Sequence, residues 1–176
     1  LRSRLLPIFE LREKAPSGAI RGLVFVIGEG LGSTSRAHVD DLLRDIGPTE
    51  RAALVSLGLT VGRASVFLRQ LLQPDLIRLR ATLFRAAHGQ ALPRDGAEPD
   101  GRSCLSADLR LPGAFYEACG YQVTGPMAVR VDRLHRLAGI AAHQAQSGAF
   151  PPTAELARAA GLEISDLPAV LSALGY

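Results

Sequence analysis

The chain has 176 residues, of which 47% are hydrophobic, which is enough for a packed core and excludes an intrinsically disordered protein. This length predicts one domain, or one domain with a small appendage. The formal net charge of +3 indicates anionic partners only mildly and is not by itself typical of a nucleic-acid-binding protein.

No apolar run approaches the roughly 20 residues that a membrane-spanning helix needs. The charged start, LRSRLLPIFELREK, is also unlike a secretory signal. We therefore expect a cytoplasmic protein without membrane contact. Because the chain begins with Leu1 rather than Met, we expect it to be a piece of a longer protein.

The basic residues are almost entirely arginine, since Lys14 is the one lysine among 20. Two explanations remain open. Guanidinium groups suit the geometry of phosphate and carboxylate better than ammonium groups do. A genome rich in G and C would also replace lysine by arginine throughout, and we give this second explanation more weight.

The sequence offers no catalytic or metal-binding pattern that we can defend. Cys104 and Cys119 form no Cys-x-x-Cys motif, so reduced thiols are expected, and Cys119 is predicted to be buried rather than nucleophilic. The four histidines are scattered, and no serine lies in a Gly-x-Ser-x-Gly motif. We expect no catalytic residue, no metal and no cofactor in this chain.

Residues 1–89 are predicted to form a helical subdomain. Four helices are expected at the start of this region. The first ends near Lys14, the second runs through Ile27, the third follows a cap at Thr34 or Ser35, and the fourth begins at Pro48. Ser17 is a candidate cap of the second helix. The run LVFVIGEGLGS within that helix looks like a phosphate-binding loop, but it lacks the required lysine and the third glycine, so we interpret it as a buried helix.

A strong helix is predicted from Pro74, with Leu76, Leu79, Leu83 and Ala86 on one face at helical spacing. Arg78, Thr82 and Arg85 fall three or four residues apart on another face. This stripe is a candidate for phosphate contact, although a solvated helix face explains the pattern at least as well.

Residues 90–103 are predicted to be a loop or linker, and residues 104–176 a mixed α/β subdomain ending in a helical pair. We expect a short sheet that contains 121–124, and then a helix that buries Val131, Leu134, Leu137, Ala138 and Ala141. Asp132 is placed to pair with Arg136 in this helix. The fold class is therefore mainly α with a small β element (α+β).

The last 24 residues resemble a helix-turn-helix, with Ser165 as the cap of the second helix. The open face of that helix offers small and acidic residues, whereas reading DNA bases requires Arg, Lys, Asn or Gln. We interpret the pair as a packing unit, which disfavours a DNA-binding regulator.

Two stretches resemble the C-terminal region of bacterial superfamily-two ATP-dependent helicases of the suppressor-of-Var type. They are LGLTVGRASVFLRQLLQPDLIRLRATLFRAAHG and AFYEACGYQVTGPMAVRVDRLHRLAG. The segments SGAIRGLVFVIGEGLG and LPAVLSALGY are also similar to their counterparts, so the resemblance spans most of the chain.

The resemblance implies an accessory C-terminal domain that braces two RecA-like motor domains, which lie outside this chain and hold ATP and Mg²⁺. Such a domain would contact single-stranded RNA or DNA through arginines without reading bases. The candidate contacts are Arg63, Arg69, Arg78, Arg85 and Arg130.

An alternative function is a protein–protein interaction module that docks a nuclease or another partner without touching nucleic acid. It would use the apolar surface of Val66 and Phe67 or the terminal helix. A dinucleotide-binding enzyme built on Gly28 to Gly32 is not expected, because its glycine pattern is incomplete.

Overall fold

The computed structural model describes residues 4–15, 18–88, 92–93 and 98–176. Helix accounts for 55% and strand for 13%, which confirms a mainly α fold with a small β element. None of the helices in the described ranges is long and apolar enough to cross a bilayer. The predicted cap at Ser17 and parts of the predicted linker 90–103 lie outside these ranges.

The first part contains five α-helices in its described residues. As predicted, Pro48 opens the fourth of them, and Gly58 follows its end with a positive φ of 84°. The helices are α1 (Leu6–Glu13), α2 (Gly18–Glu29), α3 (Asp40–Arg44), α4 (Pro48–Ser56) and α5 (Pro74–His88). The glycine-rich run resembling a phosphate loop lies largely in α2, as its interpretation as a helix predicted.

The prediction that the first part is helical throughout is wrong, because it contains a three-stranded antiparallel sheet. Its strands are β1 (Ser33–Ser35), β2 (Leu59–Val61) and β3 (Ser65–Leu68), in the order β1-β3-β2. All four residues of β3 are buried, so its sequence shows no alternation of polar and apolar residues. Thr34 and Ser35, predicted as alternative helix caps, lie in β1, and Ser35 also occupies the N-cap position of the 3₁₀ helix Arg36–His38 without making a side-chain cap bond.

The apolar face predicted for α5 is only part of the surface through which this helix packs. The buried residues are Ile77, Arg80, Ala81 and Phe84, whereas Ala86 is exposed. The reason is that α5 lies between two cores. Its predicted leucines, Leu76, Leu79 and Leu83, pack partly buried against the first core, while Ile77, Ala81 and Phe84 belong to the second.

The second part has the predicted mixed architecture. Its elements are β4 (Cys104–Ser106), α6 (Gly113–Ala118), β5 (Tyr121–Thr124), β6 (Met127–Arg130), α7 (Val131–Ala145), α8 (Ala154–Ala160) and α9 (Leu167–Ala173). The strands form an antiparallel sheet in the order β4-β6-β5. Helix α7 buries the five residues predicted to face inward.

The terminal helices α8 and α9 pack through fully buried side chains such as Leu156, Leu167 and Val170. The Thr153 hydroxyl caps α8 by accepting a hydrogen bond from the Leu156 amide. The prediction that Ser165 caps α9 is wrong, since Asp166 occupies the N-cap position and makes no side-chain cap bond.

Arg80 is fully buried and connects the two parts of the chain. Its Nη1 donates to the Leu31 carbonyl at 3.3 Å and to the Ser33 hydroxyl at 3.2 Å. Its Nη2 donates to the carbonyls of Leu71 at 2.9 Å and Cys119 at 3.1 Å. Burial lowers the pKa of Arg80 to about 10, so the guanidinium remains charged at neutral pH.

We expect Arg80→Leu to reduce the free energy of unfolding by about 3–5 kcal/mol, because three buried carbonyls lose a charged donor. Arg80→Lys should recover part of the loss, since an ammonium reaches fewer of these acceptors. Urea denaturation measures both. The matched control is Arg78→Leu on the exposed side of the same helix, and equal losses in the two leucine variants would contradict the assignment.

Cys119 provides a pH-dependent prediction. Burial raises the pKa of its thiol to about 12, from an ordinary value of 9.0. The unfolded chain therefore loses this proton first as pH rises, so the thiol's contribution to stability is intact below pH 9.0 and declines between 9.0 and about 12. The decline should reach at most about 1.4 kcal/mol per pH unit.

Cys119→Ala should remove this part of the decline. Burial also raises the pKa of Tyr121 to about 12 and lowers that of Arg80 to about 10, and both groups titrate in both chains. The difference between the two stability curves therefore reports the thiol together with its charge interactions with these two neighbours. Denaturant midpoints measured at several pH values give the curves. If the difference between the parent and Cys119→Ala stayed constant with pH, the assignment would be wrong.

Candidate nucleic-acid interface

A groove runs along β2, which is an edge strand of the first sheet. It consists of two adjoining cavities of about 400 and 390 Å³ that share Val55, Leu59, Thr60 and Arg69. We call this surface the β2 groove. Its basic side chains come from four separate elements or turns and are Arg36, Arg51, Arg69 and His135.

Two of these arginines are positioned by hydrogen bonds. The Nε of Arg36 donates to Asp40 at 2.8 Å, and its Nη1 donates to the Gly62 carbonyl at 2.9 Å. Arg51 donates to the carbonyls of Ile46 at 3.1 Å and Leu43 at 3.0 Å, near the end of α3. Both side chains are therefore held in place at the groove rather than moving freely in solvent.

Arg69 is exposed and is the least constrained of the three arginines. Among the described residues its guanidinium has one hydrogen bond, a long one of 3.5 Å from Nη2 to the Thr60 hydroxyl, so its other side-chain donors are free to bind a ligand. His135 lies beside Phe67, with the ring centroids 6.2 Å apart in an edge-on arrangement. Arg69 is thus the side chain best placed to contact a ligand.

No carboxylate is among the described residues that line the β2 groove. Asp40 does not line the groove, but it forms an ion pair with Arg36, which does. Three guanidinium groups and one carboxylate give a local formal charge of 3 − 1 = +2. A groove of one sign focuses the electrostatic field and attracts anions, with an effect that falls as salt rises.

The structure distributes the five predicted contact residues over several surfaces. Arg69 lies in the β2 groove, and Arg63 is exposed in the turn between β2 and β3. Arg78 is exposed on α5, away from the groove, while the Thr82 hydroxyl beside it donates to the Arg78 carbonyl. Phosphate contact by Arg63, Arg69 and Arg78 stays a prediction.

Arg85 is engaged within the chain. It donates to the Pro93 carbonyl at 2.7 Å and pairs with Glu98 at 2.9 Å. Its Cζ also lies 4.9 Å from the centroid of the Phe115 ring, and only 14% of its side chain is exposed. These contacts favour a role in holding the described part of the linker onto α5, rather than a role in binding phosphate.

Arg130 is engaged in the same way. Its guanidinium makes two hydrogen bonds to Asp132, at 2.7 and 3.0 Å, and donates to the Gly101 carbonyl. The prediction that Asp132 pairs with Arg136 is therefore wrong. Arg130 ends β6 and Asp132 is the second residue of α7, so the strand-to-helix junction brings these two side chains together.

Sequence reasoning missed Arg36, Arg51 and His135 as members of one site. They lie in the 3₁₀ turn Arg36–His38, in α4 and in α7, up to about 100 positions apart. No local spacing connects them. The only available signal was the arginine content of the chain, which does not distinguish one arginine from another.

The alternative docking surface is partly excluded. Val66 and Phe67 are 0% and 1% exposed, so the apolar surface proposed there is wrong, because both residues are in the fully buried strand β3. The terminal helix remains, and it borders an apolar cavity of about 440 Å³ lined by Phe150, Leu171 and Tyr176. Within the described ranges, no cluster of His, Cys, Asp and Glu could hold a metal ion.

Comparison with protein families, with curated proteins and with solved structures finds no match for this chain.

We expect Arg130→Gln to reduce the free energy of unfolding by about 1.5–3 kcal/mol, because charge-assisted hydrogen bonds to Asp132 are lost. Its affinity for single-stranded nucleic acid should equal that of the parent. Chemical denaturation and fluorescence anisotropy check the two halves of this prediction. A variant of unchanged stability but weakened binding would return Arg130 to the set of phosphate contacts.

Proposed function

We propose that this chain is an accessory domain of an ATP-dependent helicase and that it contacts the backbone of single-stranded nucleic acid through the β2 groove. The observation that carries the proposal is the convergence of Arg36, Arg51 and Arg69 on a groove lined by no carboxylate among the described residues. Guanidinium groups make paired, charge-assisted hydrogen bonds to phosphate oxygens.

The lining of the groove favours backbone contact over base reading. Apart from the imidazole of His135, its described lining residues include no aromatic ring on which a base could stack. Thr60, Gln70 and Gln73 add polar groups that can bond phosphate or sugar oxygens. Binding should therefore depend strongly on salt and little on sequence.

The helicase context is supported by the two stretches that resemble the family. The first stretch contains β2, β3 and Arg69, so the family-like sequence includes the strand along which the groove runs, while Arg36 and Arg51 lie outside it. ATP and Mg²⁺ belong to the motor domains, which are the expected partners within the same parent protein. This part of the proposal is tested by determining the coding sequence upstream of Leu1, which should specify those motor domains.

The second candidate function is docking of a nuclease or another protein partner. It is favoured by the apolar cavity beside α9, which Phe150, Leu171 and Tyr176 line. A nuclease that stays bound to the parent protein after all nucleic acid has been digested, and is lost on substitution of the exposed cavity residue Tyr176→Glu, would favour this function.

The nucleic-acid proposal is tested by anisotropy titrations of a labelled single strand at several salt concentrations. Arg69→Gln should reduce the slope of log affinity against log salt by about 0.7, the value expected for one lost phosphate contact to a single strand. The folded state should be unaffected, because Arg69 is exposed and weakly bonded.

The matched control is Arg44→Gln, which removes the same charge from an exposed side chain in α3 that pairs with Asp41 outside the groove. Its slope should equal the parent's. The proposal fails if the parent binds without salt dependence, or if Arg69→Gln and Arg44→Gln give the same slope.

A further inference from the structure

A second basic groove lies between α7 and α8, on a different side of α7 from the β2 groove. Its cavity is about 380 Å³ and is lined by Arg133, Arg136, Ile140, Glu155, Arg158 and Ala159. We infer that this α7/α8 groove binds a phosphate group. The inference does not depend on the β2 groove, because the two cavities share no lining residue.

The three arginines of this groove are brought together by two packed helices. Arg133 and Arg136 are three residues apart on α7, which places them as neighbours on one face, and Arg158 comes from α8. Like charges at this spacing repel each other. An anion between these guanidinium groups would be attracted to each of them and would offset their mutual repulsion.

The guanidinium groups of these arginines have no acceptor among the described residues, in contrast to Arg36, Arg85 and Arg130. Glu155 lines the same groove but forms no ion pair with any of them within the described ranges. The local formal charge is therefore 3 − 1 = +2, which matches a phosphate mono- or dianion.

The buried Nε of Arg133 is the second observation that indicates a ligand. It is buried and donates to no acceptor in the part of the chain that the structure describes. The buried Nε atoms of Arg80 and Arg85 also lack an acceptor among the described residues, but the Nη atoms of those two side chains are bonded, whereas those of Arg133 are not. A buried donor without an acceptor destabilises the protein, and the oxygens of a phosphate at the groove would satisfy it. A guanidinium offers two parallel N–H groups to such oxygens.

The phosphate could belong to a nucleic-acid strand or to a small molecule such as pyrophosphate. Helix α7 bears on this choice, because His135 lines the β2 groove while Arg133 and Arg136 line the α7/α8 groove. His135 and Arg133 are about 200° apart around the helix axis. A strand that crosses the outer face of α7, a helix about 10–12 Å wide, would contact both grooves.

The test uses the 176-residue chain and the double variant Arg136→Gln/Arg158→Gln. Both side chains are exposed, so the variant should fold, which its thermal unfolding without ligand checks. With single-stranded oligonucleotides of about 20 nucleotides, longer than the ~4–16 that one small binding domain covers, the salt slope should fall by about 1.4. Two separate variants serve as controls. Arg44→Gln should have the same salt slope as the parent, and the conservative double variant Arg136→Lys/Arg158→Lys should retain most of that slope.

Inorganic pyrophosphate provides the second arm, since a ligand that binds the folded state raises the melting temperature. A loss confined to the oligonucleotide slope identifies a strand phosphate, and a loss confined to the pyrophosphate shift identifies a free phosphate. The inference is overturned if the double variant and the parent agree in both measurements. If Arg69→Gln reduced the salt slope and the double variant did not, the result would support binding at the β2 groove and reject binding at the α7/α8 groove.

Discussion

The buried guanidinium of Arg80 is the interaction on which the rest of the structure depends. It is a charge in the protein interior whose hydrogen bonds go to four neutral oxygens, from Leu31, Ser33, Leu71 and Cys119. A buried charge is tolerated only where hydrogen bonds replace the water that it loses. Each of these oxygens must therefore stay in place, which fixes three separate segments of chain around one side chain of α5.

The same constraint holds the β2 groove in shape. Ser33 pairs with Phe67 across β1 and β3, and β3 in turn pairs with β2, the strand along which the groove runs. Leu71 lies in the short 3₁₀ helix that begins at Arg69. Arg80 thus connects, through one strand and one short helix, to both the floor of the groove and its most exposed arginine. The hydrogen bonds of Arg80 therefore stabilise both the packing of the interior and the position of the candidate binding residues.

Sequence patterns predicted the fold where one face of an element is buried, and failed where two faces are. Helix α7 has a single apolar face, so its periodicity gave all five inward residues. Strand β3 and helix α5 each contact neighbours on opposite sides, so their apolar residues show no period that identifies a face. Arg80 could not be predicted for a related reason, since a charged residue in a helix ordinarily indicates the solvent side.

The candidate sites were harder to predict than the fold, because the sequence does not show which arginines already have partners. The terminal nitrogens of Arg85 and the guanidinium of Arg130 are bonded to acceptors within the chain, whereas Arg69 has one long bond and the arginines of the α7/α8 groove have none among the described residues. An arginine-rich composition is thus a mixture of two populations. One population replaces water inside the protein and stabilises the fold. The other has guanidinium nitrogens without a strong acceptor among the described residues, and it lies on both sides of α7, where an extended anion could contact both grooves at once.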